Sequence, residues 1–145
     1  MSGQVVNTRF AKTDQYRKVL EIYKKAGNCP FCKKEFKKLG KPMLKKYKGW
    51  FATDNNWPYK NTRYHFLIVS EKHREKLQEF RKNDFEAVLY LAQWLVKKYR
   101  IKGGGLALRF GSTDFSGSSV CHSHFHLISP KVSKGKSLTV IFPIG

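Results

Sequence analysis

Apolar residues recur at helical spacing in two windows of the chain and gather into short runs around them. Tyr16, Val19, Leu20 and Tyr23 predict an amphipathic helix over residues 14–26, with Thr13 or Asp14 as N-cap and Gly27 as its stop. A longer helix is predicted from Asp84 to Ile101. Its stripe is Phe85, Val88, Leu91, Ala92, Leu95, Val96 and Tyr99, and its cap is Asn83 or Asp84. Lys97, Lys98 and Arg100 complement the C-terminal dipole of that helix, and Gly103, Gly104 and Gly105 end it. Strand-like runs fall at 43–53, 65–69, 106–110, 120–128 and 137–142, of which His65 to Val69 is the clearest buried one. The polar stretch 54–63 carries Pro58 and reads as a loop, as does the small, polar stretch 111–118. Helix, strands, long helix, strands is an α+β order with a mainly antiparallel sheet of about five strands.

No apolar stretch approaches the ~20 residues that a membrane helix needs. Met1 to Phe10 has no apolar core, so no secretory signal is expected. A length of 145 residues fits a single domain, with the first helix and a cysteine knuckle over residues 1–40 and the main body over 41–145. Three cysteines are an odd count, and two form Cys29-Pro30-Phe31-Cys32. That favours a reducing, cytoplasmic setting and a metal knuckle over a disulfide framework. Taken alone, the pair also fits a redox site or two buried thiols. The net charge of +19 fits a polyanionic partner such as nucleic acid, a small polyphosphate substrate, or adaptation of the whole surface.

All five histidines fall in two short segments. His122, His124 and His126 alternate, so a strand would set three imidazoles on one face. Protonated neighbours repel, which makes the cluster costly unless an anion or a metal is bound there. A metal site and an anion-binding catalytic site are the two functional readings, beside a cluster with no function. The preceding loop, with Gly111, Gly117, Ser118 and Ser119, can present amides and hydroxyls to phosphate oxygens. Cys121 alternates to the opposite face and reads as core.

The run from Gly117 to Ile128 resembles the signature of the histidine triad (HIT) superfamily: His, apolar, His, apolar, His, then two apolar residues. Gly117-Ser118-Ser119-Val120 stands where that family has Gly-x-Ser/Thr-Val. The segment His65-Phe66-Leu67-Ile68-Val69-Ser70-Glu71-Lys72-His73 is similar to the family's second motif. The resemblance implies a HIT-like fold and cleavage or transfer of a nucleoside monophosphate from a dinucleoside polyphosphate or a phosphoramidate, through a nucleotidyl-histidine. It implies His124 as nucleophile, its tautomer fixed by a following carbonyl or histidine. His126 would contact phosphate oxygens, Ser119 would lie near the leaving group, and His65 would support the triad. Gly117, Ser118 and His122 would join in binding substrate, with Asp54 at the ribose. No cofactor is implied for the chemistry. Members with an N-terminal Cys-x-x-Cys imply a structural zinc site, here Cys29, Cys32, His73 and His122. The family also implies a homodimer through the long helix and an edge strand, where Trp94 could serve, and a nucleotide partner that contains adenine.

Three positions depart from the family pattern. Ser123 replaces an apolar residue, so the back of the strand is less buried or bonds locally. Gly111 falls at a phosphate-contacting asparagine, so Thr113 or Asp114 substitutes or the contact is missing. Ser70 replaces a proline. Trp50, Phe51 and Trp57 are candidates for base stacking or for core. Two alternatives stand beside the hydrolase: aprataxin-like removal of AMP from nucleic-acid ends, and a non-catalytic basic RNA- or nucleotide-binding module.

Overall fold

The computed structural model describes residues 5–145; the first four, part of the stretch read for a leader, lie outside the described residues. A short 3₁₀ turn is followed by α1 (Asp14–Ala26) and α2 (Lys33–Lys38), strands β1 (Lys45–Tyr47), β2 (Trp50–Asp54) and β3 (Thr62–Ser70), and the long α3 (Lys82–Tyr99). Then come β4 (Gly105–Leu108), the one-turn α4 (Thr113–Ser116) and β5 (His124–Pro130). The five strands form an antiparallel sheet in the order β1-β2-β3-β5-β4. This is the α+β architecture that the periodicity predicts. Among the described residues, no helix is long and apolar enough to cross a membrane.

Strand parity divides the sheet into two faces. Trp50, Ala52, Phe66, Ile68, Phe125 and Leu127 pack with Val88, Leu91 and Leu95 of α3 in the main core. The Trp50 indole N–H donates to Asp84 at 3.0 Å, tying α3 to the sheet. On the other face, Phe51, Leu67 and Val69 pack against Phe36 of α2. Leu20 of α1, Cys29, Val6 and Val120 form a third cluster at the N-terminal side of that layer. Trp50 and Phe51 are thus core residues, not base-stacking platforms.

Several elements differ from their expected form. The run 43–53 is a hairpin, because Lys48 and Gly49 both take positive φ (43° and 81°) and make a two-residue turn that pairs Tyr47 with Trp50. Thr13 caps α1 by accepting from the Tyr16 N–H, and Gly27 ends it in the left-handed conformation. The cap of α3 is Arg81 rather than Asn83 or Asp84. Asp84 lies one turn inside and reaches back to accept from the Arg81 N–H at 2.7 Å. The buried stripe of α3 is centred on Ala87, Val88, Leu91 and Leu95, which leaves Phe85 and Val96 at its exposed margins. The loop 111–118 contains α4. The last predicted strand is not formed: Val132–Ser133 pairs only with Lys136–Ser137, and the following chain bends back toward the sheet, where the Pro143 carbonyl accepts from Arg109.

The largest difference concerns the histidine run. β5 starts at His124, not at Val120. The Ser123 N–H and hydroxyl both donate to the Arg74 carbonyl, at 2.7 and 2.8 Å, and the Cys121 N–H donates to Val5. These bonds pull residues 121 and 122 out of the ladder and leave Ser123 attached to β3 only through its carbonyl, which accepts from the Ser70 N–H at 3.2 Å. Ser123 is buried and satisfied, through a partner far away in sequence. Cys121 is half-buried rather than core, and burial pushes its thiol up to about 11.

Candidate active site and metal-ligand cluster

His124 and His126 project from β5 to the face opposite α3, and His65 from β3 reaches the same place. They border a cleft of about 900 Å³ between the sheet and α1. His124 is only 9% exposed, yet its ring borders the cleft beside Phe31, whose ring centre is 4.9 Å away. Its Nδ1 lies 2.7 Å from the His122 carbonyl oxygen. A carbonyl can only accept, so Nδ1 holds the proton and the Nε2 lone pair is free. The carbonyl that fixes this tautomer precedes His124; the expected following group does not.

The same bookkeeping settles the next two rings. The Tyr59 N–H donates to His65 Nδ1 at 3.1 Å, so the His65 proton sits on Nε2. That proton is donated to His126 Nδ1 at 2.8 Å, which leaves the His126 proton on its own Nε2. Burial, then the neighbouring charge of His124 and of Arg109, pushes His65 down to about 4. Burial also holds His124 down to about 4, against the hydrogen bond to His122. His126 is pushed well below its ordinary value by burial, with His124, His65, Arg109 and Lys12 adding to it. Neutral imidazoles are what a nitrogen nucleophile and its neighbours require.

Gly117, Ser118 and Ser119 also line the cleft. Gly117 has φ +71°, and a Cβ there would press on the backbone of Gly145. The Ser118 hydroxyl is spent on the Val120 carbonyl at 2.8 Å. The Ser119 hydroxyl shares a hydrogen bond of 3.0 Å with the Tyr16 hydroxyl, and burial raises Tyr16 to about 12. Trp57 stacks on Tyr16 with ring centres 5.4 Å apart, so it is the one predicted stacking aromatic that reaches the cleft.

Two predicted residues are placed elsewhere. Asp54 shares strand parity with Trp50 and Ala52, is exposed, and is not among the residues that line the cleft; Asn55 is. Thr113 accepts from the Asn7 amide at 2.9 Å and also lies outside the cleft lining. Gly111 donates its N–H to the Glu75 carbonyl.

His122 belongs to a second group. Its Nε2 donates to the Ser70 carbonyl at 2.6 Å, turning the Nδ1 lone pair toward two thiols and another ring. Cys29 Sγ is 3.4 Å from that Nδ1, Cys32 Sγ is 3.7 Å, and His73 Nδ1 is 3.1 Å. His73 Nε2 donates to Glu75 at 3.0 Å, so its Nδ1 is also an acceptor. Two acceptor nitrogens at 3.1 Å repel unless something positive lies between them. All four ligand atoms lie within 4.8 Å of one another. Tetrahedral zinc with bonds of about 2.0–2.3 Å separates its ligands by roughly 3.3–3.8 Å, so the arrangement is compatible with zinc. Each imidazole already has the outer partner that metal-bound histidines use. Burial and the Cys32 thiol push Cys29 up to about 12. His122 therefore faces the thiols instead of lining the cleft.

Sequence reasoning missed Arg109, Lys12, Tyr16 and Tyr59, all of which line the cleft. The lining holds four cationic side chains, Lys12, Lys41, Lys60 and Arg109, and no carboxylate among the described residues.

A family model described as the HIT domain matches residues 50–132, more than half of the chain. The chain is similar to the histidine triad nucleotide-binding protein from Candida albicans, with TM-score 0.62, 22% identity, and 80% of this chain and 83% of that one covered. It is similar to a HIT family hydrolase from Legionella pneumophila, with TM-score 0.57, 24% identity, and coverage of 72% and 95%. It is also similar to a HIT family hydrolase from Clostridium thermocellum, with TM-score 0.57, 23% identity, and coverage of 77% and 97%. At these identities the likeness establishes the fold. No curated protein sequence matches the chain significantly.

Proposed function

The chain belongs to the HIT family, and on that premise we propose that it is a nucleotide hydrolase or nucleotidyltransferase. The substrate in this reading is a dinucleoside polyphosphate or an adenylated phosphoramidate. The observation that carries it is the His124 ring, with Nδ1–H held by the His122 carbonyl and the Nε2 lone pair at the cleft. Nε2 attacks the α-phosphorus. A P–N bond forms as the bond to the leaving group breaks, with Ser119 hydrogen-bonding the departing atom. Water then attacks the same phosphorus, breaks the P–N bond, releases the nucleoside monophosphate and restores His124. His126 Nε2–H and the amides after Gly117 meet the charge on the phosphoryl oxygens. The related hydrolase and nucleotide-binding protein support this class of reaction.

In this reading, Cys29, Cys32, His73 and His122 hold a structural zinc ion. The ion would cross-link the N-terminal knuckle to the sheet and take no part in the reaction. The reading includes a homodimer through α3 and the edge strand β4, where Leu89 and Leu106 are exposed apolar residues. Light scattering in solution checks it, with a monomer at all concentrations as the contrary result.

The test compares wild type with His124→Ala for AMP release from diadenosine polyphosphate and from an adenosine phosphoramidate. Equal release by both proteins rules the reading out. The cationic cleft lining favours one second reading, AMP removal from nucleic-acid ends. That reading requires oligonucleotide affinity that falls steeply with added salt.

A further inference from the structure

Arg109 follows β4 and shares the strand parity of Ala107, which pairs with His126. Its Nε donates to the Pro143 carbonyl at 2.8 Å, and its guanidinium carbon lies 3.9 Å from the centre of the Phe142 ring. These two contacts fix the plane of the group. Its remaining donors are unspent. Nη2 is buried with no hydrogen-bond partner. Nη1 lies 3.4 Å from His126 Nε2, the nitrogen to which Tyr59 and His65 assign a proton. Two N–H groups therefore converge with no acceptor between them. Lys12 also lines this cleft, and no carboxylate there neutralises the pair.

A half-buried guanidinium with an idle, shielded donor is unfavourable unless an acceptor reaches it. A phosphoryl group supplies two oxygens at the spacing of the arginine fork, and a charged donor binds them more strongly than a neutral amide. We propose that Arg109, together with the Nε2–H of His126, is the anchor for the non-bridging oxygens of the phosphoryl group that His124 attacks. Gly111, at the expected asparagine position, is committed to Glu75 and lies outside the cleft lining. Arg109 brings a full charge from two residues earlier. This inference rests on the hydrolase reading for the identity of the phosphoryl group. Its anion-binding content can be measured without turnover.

The experiment uses the full chain as wild type, Arg109→Gln and Arg109→Lys. Calorimetry reads binding of AMP and of inorganic phosphate, kinetics reads AMP release, and thermal unfolding reads stability. The expected result for Arg109→Gln is at least tenfold weaker binding of both ligands and a fall of about 10²–10³-fold in kcat/KM, mostly in kcat. Its melting temperature should change little, because relief of the idle donor offsets the lost contacts to Pro143 and Phe142. Arg109→Lys should recover affinity better than rate, since it restores the charge without the fork. Ligand affinities in Arg109→Gln within twofold of wild type overturn the proposal. So does a wild type that binds neither ligand. If Arg109→Gln does not fold, Arg109→Lys decides: wild-type kcat overturns the proposal. A wild type that binds phosphate through Arg109 but releases no AMP removes the hydrolase reading and leaves the anion site standing.

Discussion

The His73 and His122 rings, clustered with Cys29 and Cys32, and the His124 ring, grouped in the cleft with His65 and His126, use the same side chain with opposite wiring. In the cluster, both imidazoles donate from Nε2 to a fixed acceptor and turn Nδ1 inward toward thiols. In the cleft, His124 donates from Nδ1 and keeps Nε2 free, while His126 has its proton on Nε2. The hydrogen bond on one ring nitrogen decides what the other can do. The two groups meet at a single residue. The ring of His122 joins the cluster and its carbonyl orients His124. Residues 121 and 122 leave the ladder there, and that break lets neighbouring positions of one motif serve two sites.

The sharpest way to break the comparison is a pair of alanine substitutions. His124→Ala is expected to lower AMP release by at least ~10⁴-fold with little change in melting temperature, read by steady-state kinetics and calorimetry. His122→Ala is expected to lower stability by about 3 kcal/mol, or roughly 10 °C in melting temperature, with loss of bound metal by elemental analysis. If both variants keep their metal and their stability, the division of labour is wrong.

Metal removal comes next. Chelation should lower the melting temperature by a similar ~10 °C and turnover by about 10²-fold, because a displaced His122 carbonyl leaves the His124 ring misoriented. Unaltered turnover in metal-free protein would separate the two groups entirely. A smaller effect is expected from Glu75→Gln, which weakens the outer partner of His73. Metal affinity should fall about 10–100-fold, measured by competition with a chromogenic chelator, with kcat preserved at saturating zinc.

The most gradual effect is on pH dependence. His65 and His126 have native values held below the ordinary one, to about 4 for His65. Between about pH 6.5 and 4 the unfolded chain takes up protons that the native chain refuses, so stability falls as pH falls through that window. Each histidine contributes at most ~1.4 kcal/mol per pH unit. Urea unfolding of His65→Gln should show a shallower slope over this range than wild type; an equal slope would place the titration elsewhere.

Much of this was legible in the sequence because local rules and tertiary packing agree. Thr13, the apolar spacing of α1 and Gly27 define that helix within a residue. The apolar run His65 to Val69 and the alternating run Val120 to Ile128 predict the two strands that carry the histidines, although the second forms only from His124. The Cys29, Cys32, His73 and His122 set followed from family resemblance, and the chain brings those four together. What was hidden depends on contacts between distant segments. Strand alternation could not show that Ser123 bonds to Arg74 and detaches His122 from β5. Counting back from the triad could not identify Arg109, because its place at the cleft is set by contacts with Pro143 and Phe142, distant in sequence. Asp54 was read as the first residue of a loop, whereas it ends β2 with the parity of Trp50 and Ala52 and lies outside the cleft lining.

The most direct measurement is intact and peptide mass spectrometry of protein quenched during turnover of an adenosine phosphoramidate. The account predicts an adenylyl group on the peptide carrying His124, absent from His124→Ala and discharged by water. An adduct on His65 or His126, or full AMP release with no adduct on any histidine at single-turnover times, would contradict it.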